Sequence, residues 1–143
     1  MSLQIVVIDG QGGGIGRQVV QQLKARYPGL SLTAVGTNSI ASAAMLKAGA
    51  ERAATGENAV VVCCRTADII IGPAAVVIAD SLLGEITPKM AAATGQSSAV
   101  RILIPVNGCN NIIAGMGELP VGRLVEAAVE EVGKIIRSQS SEL

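Results

Sequence analysis

The sequence has no histidine, no tryptophan and no phenylalanine, and its single tyrosine is Tyr27. Without histidine, the commonest general base near neutral pH and the commonest metal ligand are both missing. Without aromatic side chains there is no set on which nucleic-acid bases could stack. Eleven basic residues against eleven acidic ones leave no basic field to hold a phosphate backbone, so nucleic-acid binding is not expected. Cysteine is scarce: Cys63 and Cys64 are adjacent, Cys109 is far away, and no C-x-x-C spacing supports a zinc site. Cys63 and Cys64 read as small buried hydrophobes on an apolar helix. Long hydrophobic runs are missing too. The nearest, residues 68–83, is interrupted by Gly72-Pro73 and Asp80 and falls short of the ~20 residues that span a bilayer. No signal peptide precedes the first apolar run. These absences lead to the expectation of a cytoplasmic protein with neither a membrane nor a nucleic-acid partner.

What is present is an aliphatic chain. Half of the 143 residues are hydrophobic, and with 1% aromatic content the core must be built from Val, Ile, Leu, Ala and Met. The length suits one domain with a real core. Small aliphatic side chains suit helices lying directly on a parallel sheet, whose buried strands read as continuous apolar runs. Mean hydropathy is +0.51 with only 15% charged residues, which predicts a homodimer or larger assembly covering an apolar patch.

The chain is organised around Asp9-Gly10-Gln11-Gly12-Gly13-Gly14-Ile15-Gly16-Arg17. An apolar run, residues 3–8, leads into it, and Ile15, Val19, Val20 and Leu23 follow at helical spacing. Strand, glycine turn, helix is the setting in which a glycine motif acquires meaning. Glycines let a ligand approach the backbone, and the helix start offers unpaired N–H groups and partial positive charge to a phosphate. The alternative is a glycine-rich turn with no ligand.

The spacing G-x-x-x-G-x-G through Gly10, Gly14 and Gly16 resembles the cofactor loop of short-chain dehydrogenases. That resemblance implies NAD or NADP on the loop, and it covers only the first strand, turn and helix. Two departures limit it. Asp9 stands where such loops carry Thr, and a carboxylate there repels a pyrophosphate unless loop N–H groups or a metal ion neutralise it. The family's Tyr-x-x-x-Lys is missing, because Tyr27 is followed by Pro28-Gly29-Leu30-Ser31. A second resemblance runs through most of the chain. The segments Ile8 to Gly16, Gly36-Thr37-Asn38, Ala44 to Ala50, Ala54 to Asn58 and Leu83 to Met90 resemble a small bacterial family of unknown function. It implies no mechanism.

Read in order, the pattern predicts strands over residues 3–8, 30–35, 51–54, 68–71 and 101–106. It predicts helices over 14–26, 38–48, 59–66, 73–82, 88–94 and from Val121 onward. Asn38 or Ser39 and then Thr87 serve as N-caps, with Pro88 at the first helical position. Asn107-Gly108 is a turn signal, so residues 111–116 are expected as an antiparallel strand at the sheet edge. In the last helix Glu130 and Lys134 have the favourable i, i+4 order, and residues 138–143 are expected to fray. Alternating strands and helices imply a three-layer, doubly wound, Rossmann-like sheet of order 3-2-1-4-5. Ligands bind such sheets at the carboxyl edge where strand order reverses, here between the glycine loop and Gly72-Pro73.

The binding residues expected are therefore Asp9, Gly10, Gln11, Gly12, Gly13, Gly14, Ile15, Gly16, Thr37, Asn38, Gly72 and Pro73. Thr37 and Asn38 replace the acid that often meets a ribose at the second strand tip, and they could equally be turn and cap residues. No metal site is expected. Three functions fit: a nucleotide- or phosphate-binding module, a small NAD(P)-dependent oxidoreductase, and a structural oligomer. For the second, the candidate polar groups are Asp9, Asp80, Ser81, Glu85 and Asn107.

Overall fold

A computed structural model describes residues 2–106 and 110–141. Five strands, β1 (Ile5–Asp9), β2 (Leu32–Gly36), β3 (Arg52–Thr55), β4 (Ile69–Pro73) and β5 (Val100–Ile104), pair in parallel in the order β3-β2-β1-β4-β5. Between and after them run α1 (Gly14–Arg26), α2 (Ser39–Ala48), α3 (Glu57–Thr66), α4 (Pro88–Gln96) and α5 (Val121–Ser141). This is the Rossmann-like, doubly wound arrangement the pattern implied, with β1 central.

Alternation along β1 divides the core. Ile5 and Val7 face a layer built with Val19, Val20 and Leu23 of α1, Met45 of α2 and Val125, Val129 and Val132 of α5. Val6 and Ile8 face the other layer, with Val60 and Cys64 of α3 and Met90 and Ala91 of α4. The strand-like run Val60-Val61-Val62-Cys63-Cys64 is helical, because β3 and β4 are parallel and need a crossover. Cys64 is buried as expected and Cys63 only half-buried, and burial raises both thiols above the usual cysteine range. Cys109 lies outside the described residues.

Four expectations are corrected. Among the described residues, no antiparallel strand forms beside β5. Pro105 has no N–H to continue the ladder with β4, and residues 111–116 hold only a single bridge position and a turn; Asn107-Gly108 lies outside the described residues. The helix expected over 73–82 is replaced by a 3-10 turn, Ala74–Val77, and a tight loop. Ser81 Oγ lies 2.6 Å from the Ala75 carbonyl and 2.7 Å from that of Ile78, engaging carbonyls a longer helix would use. Asp80, Leu82 and Leu83 all take left-handed φ, which no α-helix accommodates. Glu130 turns toward Arg26 of α1 (3.2 Å) and Arg137 (3.0 Å), leaving Lys134 to pair with Glu131 (2.9 Å). The last helix continues to Ser141, past Ser138 where the tail is expected to begin, and residues 142–143 lie outside the described residues. Among the described residues, no helix is long and apolar enough to cross a membrane.

Candidate functional site

At the carboxyl edge, β1 ends in Asp9, which is 4% exposed. Its Oδ1 accepts from Gly10 N (2.8 Å) and its Oδ2 from Gly16 N (2.7 Å). The carboxylate thus caps α1 from beneath, where Gly13, the N-cap residue, has no side chain to do so. Burial pushes the Asp9 carboxyl above the usual aspartate range. The N–H groups of Gly16, Gly10 and Ile15 oppose that shift, and the nearby Glu85 charge adds to it. The loop N–H groups of Gly10 and Gly16 thus offset the Asp9 charge. Among the described residues no cluster could hold a metal.

The glycines divide into two groups. Gly10, Gly13 and Gly16 are buried, and a Cβ on each would meet close neighbours. Gly13 has φ 73°, and a Cβ there would lie 2.8 Å from Ala41 Cα. At Gly16 a Cβ would lie 2.9 Å from Asp9 Cβ; at Gly10, 2.8 Å from Thr37 Oγ1 and 2.9 Å from Leu82 Cδ1. Gly12 and Gly14 are exposed, have no positive φ, and a Cβ on either would meet nothing within 4 Å. Gly13 N donates to the Gly10 carbonyl (2.9 Å) and Gln11 N to Glu85 Oε1 (2.9 Å). Gly12 N and Gly14 N make no hydrogen bond among the described residues.

These two glycines border a cleft of about 530 Å³. One wall is the loop from Asp9 through Ile15. The opposite wall is Pro73, Ala74, Ala75 and Ile78, and Ser81, Leu82, Val106, Asn111, Ile112 and Ile113 complete it. The size falls within the range of small-molecule sites, and the lining away from the loop is mostly apolar.

The other side of the loop is closed. Glu85 Oε1 accepts from Thr37 Oγ1 (2.6 Å), Asn38 Nδ2 (2.8 Å) and Gln11 N (2.9 Å). The Thr37 hydroxyl does most to hold the Glu85 carboxyl below the usual glutamate range; partial burial opposes it, and Gln11 and Asn38 add to it. Asn38 Oδ1 accepts from Ala41 N (2.9 Å), so it caps α2, and its Nδ2 also donates to the Gln11 carbonyl (2.9 Å).

Of the sequence-predicted residues, Asp9 to Ile15 and Pro73 come together on the cleft. Gly16 lies beneath it as the Asp9 partner. Thr37 and Asn38 bind Glu85 and do not line the cleft. Gly72 does not line it either: it packs against the Ile8 carbonyl, where a Cβ has no room. Sequence reasoning missed Ile78, Leu82 and residues 111–113 as walls, and the Glu85 clasp. The missing acid at the β2 tip was the available signal for that clasp. Asp80 is exposed in a turn, and Asn107 lies outside the described residues.

No curated protein matches the chain significantly. Among solved structures, the chain is similar to a dodecameric FMN-dependent UbiX-like decarboxylase from Escherichia coli O157:H7. The identity is 19% and the TM-score 0.43, over 93% of this chain and 76% of that one. The family model described as "Domain of unknown function (DUF3842)" matches residues 4–137, and the chain belongs to that family.

Proposed function

We propose that this chain is a binding module for a phosphorylated small molecule, of the nucleotide class read from the loop. The phosphate sits on the Gly12 and Gly14 N–H groups, and the body of the ligand lies in the cleft toward Pro73 and Ile78. One observation carries this reading: of the five loop glycines, only these two have no packing or φ reason to be glycine, and they border the cleft. A helix N-terminus with unpaired N–H groups favours an anion there.

The oxidoreductase reading has less support. The Asp9 carboxylate is held by backbone N–H groups, Glu85 by the β2 tip, and the Ser81 hydroxyl faces backbone carbonyls. Each candidate acid, base or nucleophile that the structure describes near the cleft is thus engaged by its own chain. Self-association belongs to the same proposal: Leu83 is 95% and Ile112 89% exposed, two large apolar side chains at or beside the cleft.

Equilibrium binding of inorganic phosphate, AMP and FMN to the wild type and to Gly14→Val tests the reading. Loss of at least ~tenfold in affinity, with the fold retained, is expected for every probe the wild type binds. Unchanged affinity in Gly14→Val, or no binding by the wild type, contradicts it.

A further inference from the structure

The two sides of the loop are unequal, and that inequality bears on which nucleotides fit; the argument rests on the phosphate seat proposed above. In Rossmann-like sheets a dinucleotide straddles the reversal of strand order. One half lies over the tip of the second strand, where an acid accepts from its ribose hydroxyls. Here the tip of β2 is already satisfied from within the chain. Thr37 Oγ1 and Asn38 Nδ2 both donate to Glu85 Oε1, at 2.6 and 2.8 Å. The acid has the usual chemistry, but it arrives from the opposite wall and accepts from the strand tip itself. The Thr37 hydroxyl hydrogen and the Asn38 amide are thereby taken, and neither is left to donate to a second ribose.

Space gives the same answer. The ground above Gly10, over which the second half would pass, is occupied: a Cβ on Gly10 would lie 2.8 Å from Thr37 Oγ1, 2.9 Å from Leu82 Cδ1 and 3.2 Å from Glu85 Oε1. No residue of β2 or α2 lines the cleft, which lies wholly toward β4 and the segment after β5. The clasp is well anchored. Asp80 N donates to the Ile86 carbonyl (2.7 Å) and Ile86 N to that of Ser81 (3.2 Å), and the Ile86 side chain is 1% exposed in the core beside α4. Moving Glu85 aside would break three hydrogen bonds and disturb that anchor.

We infer that the site takes mononucleotide-type ligands, one phosphate end and one ring-bearing body, and that Glu85 is the specificity-determining residue that shuts out dinucleotides. Leu82 assists it, filling the space above Gly10.

Matched pairs test this, each the same mononucleotide without and with a second nucleotide: FMN against FAD, and nicotinamide mononucleotide against NAD. The wild type is expected to bind the mononucleotide of at least one pair, with its dinucleotide at least ~30-fold weaker. In Glu85→Ala, and separately in Leu82→Ala, that ratio is expected to shrink by at least ~fivefold, read on protein whose circular dichroism shows it folded. A wild type that binds the dinucleotide as tightly as its mononucleotide overturns this inference and leaves the phosphate seat standing. A wild type that binds neither member of either pair overturns this inference, and the phosphate seat falls with it only where inorganic phosphate and AMP also fail to bind. Ratios unchanged in both variants overturn the role given to Glu85. If Glu85→Ala does not fold, the wild-type ratio and Leu82→Ala still decide the matter.

Discussion

Two glutamates hold the two ends of the sheet, and they do different work. At the amino end, Glu51 Oε2 accepts from Leu32 N (2.6 Å), and its Oε1 meets the Lys24 ammonium. Lys24 also donates to the carbonyls of Leu30 (2.6 Å) and Pro28 (3.2 Å). Partial burial pushes the Glu51 carboxyl up, but the Leu32 N–H and Lys24 outweigh it and leave it below the usual range. This staple joins the end of α1 to the starts of β2 and β3, away from the cleft beside the glycine loop. At the carboxyl end, Glu85 makes its bonds on one oxygen, from a loop with three non-glycine residues in left-handed conformations. Left-handed φ at such residues costs on the order of 1 kcal/mol each. On the proposal above, the strained segment held against the cleft belongs to the ligand end of the sheet, and the unstrained one at the opposite edge serves stability.

The sharpest way to break this contrast lies within the glycine loop. Gly13→Val should cost roughly 4 kcal/mol, because a branched side chain opposes φ 73° and strikes the Ala41 backbone. Gly14→Val should change stability by no more than about 1 kcal/mol while removing ligand binding. Denaturant melts of both, read beside their binding isotherms, check the pair. Equal destabilisation would mean that the exposed and buried glycines serve one purpose.

Asp9→Asn comes next. An amide oxygen can keep only one of the Gly10 and Gly16 donors, so stability should fall by about 2 kcal/mol. Affinity for a phosphate probe should not fall, since a negative charge beneath the loop has been removed. A loss of affinity on folded protein would make Asp9 a ligand contact and contradict its role as cap.

Glu51→Gln should lower stability by about 1 kcal/mol, the scale of a partly exposed, charge-assisted pair, and leave ligand binding alone. A change in affinity with unchanged stability would reverse the roles given to the two ends.

The smallest effect concerns pH. The Glu51 and Glu85 carboxyls are lowered in the folded protein, so each contributes stability that is present above the ordinary glutamate value of about 4.3 and is lost as pH falls through the lowered one. Asp9 is raised, so its contribution runs the other way. It is fully present below the ordinary aspartate value of about 3.9 and is lost as pH rises through the raised value. Stability curves should therefore lose part of their acid limb in Glu51→Gln and in Glu85→Gln. Asp9→Asn should instead lose the decline above about pH 4. An acid limb unchanged in all three variants would show that these carboxyls do not carry the linkage.

The sheet order was legible because β1, β2 and β4 are short aliphatic runs separated by helical patterns, and parallel pairing demands crossovers. The caps at Asn38 and Thr87 were legible from local chemistry, and both accept the N–H three residues on. What sequence could not show depends on contacts distant in the chain. Glu85 reaches back to Gln11 and Thr37 through the closure of the whole sheet edge. The hairpin after β5 failed because a turn signal at Asn107-Gly108 says nothing about whether the strand before it can continue past Pro105. The helix after Pro73 failed because a favourable first position does not outweigh Ser81 bonding backward to the turn carbonyls.

The central claim is that Gly12 and Gly14, and not their buried neighbours, receive a phosphate. Amide-resolved NMR of the wild type during titration with inorganic phosphate tests it most directly. The account predicts saturable shifts at the Gly12 and Gly14 amides, with the Gly10 and Gly16 amides, held by Asp9, moving far less. Saturable shifts confined to other parts of the surface, or none in the loop, would contradict it and leave the glycine run as a tight turn between β1 and α1.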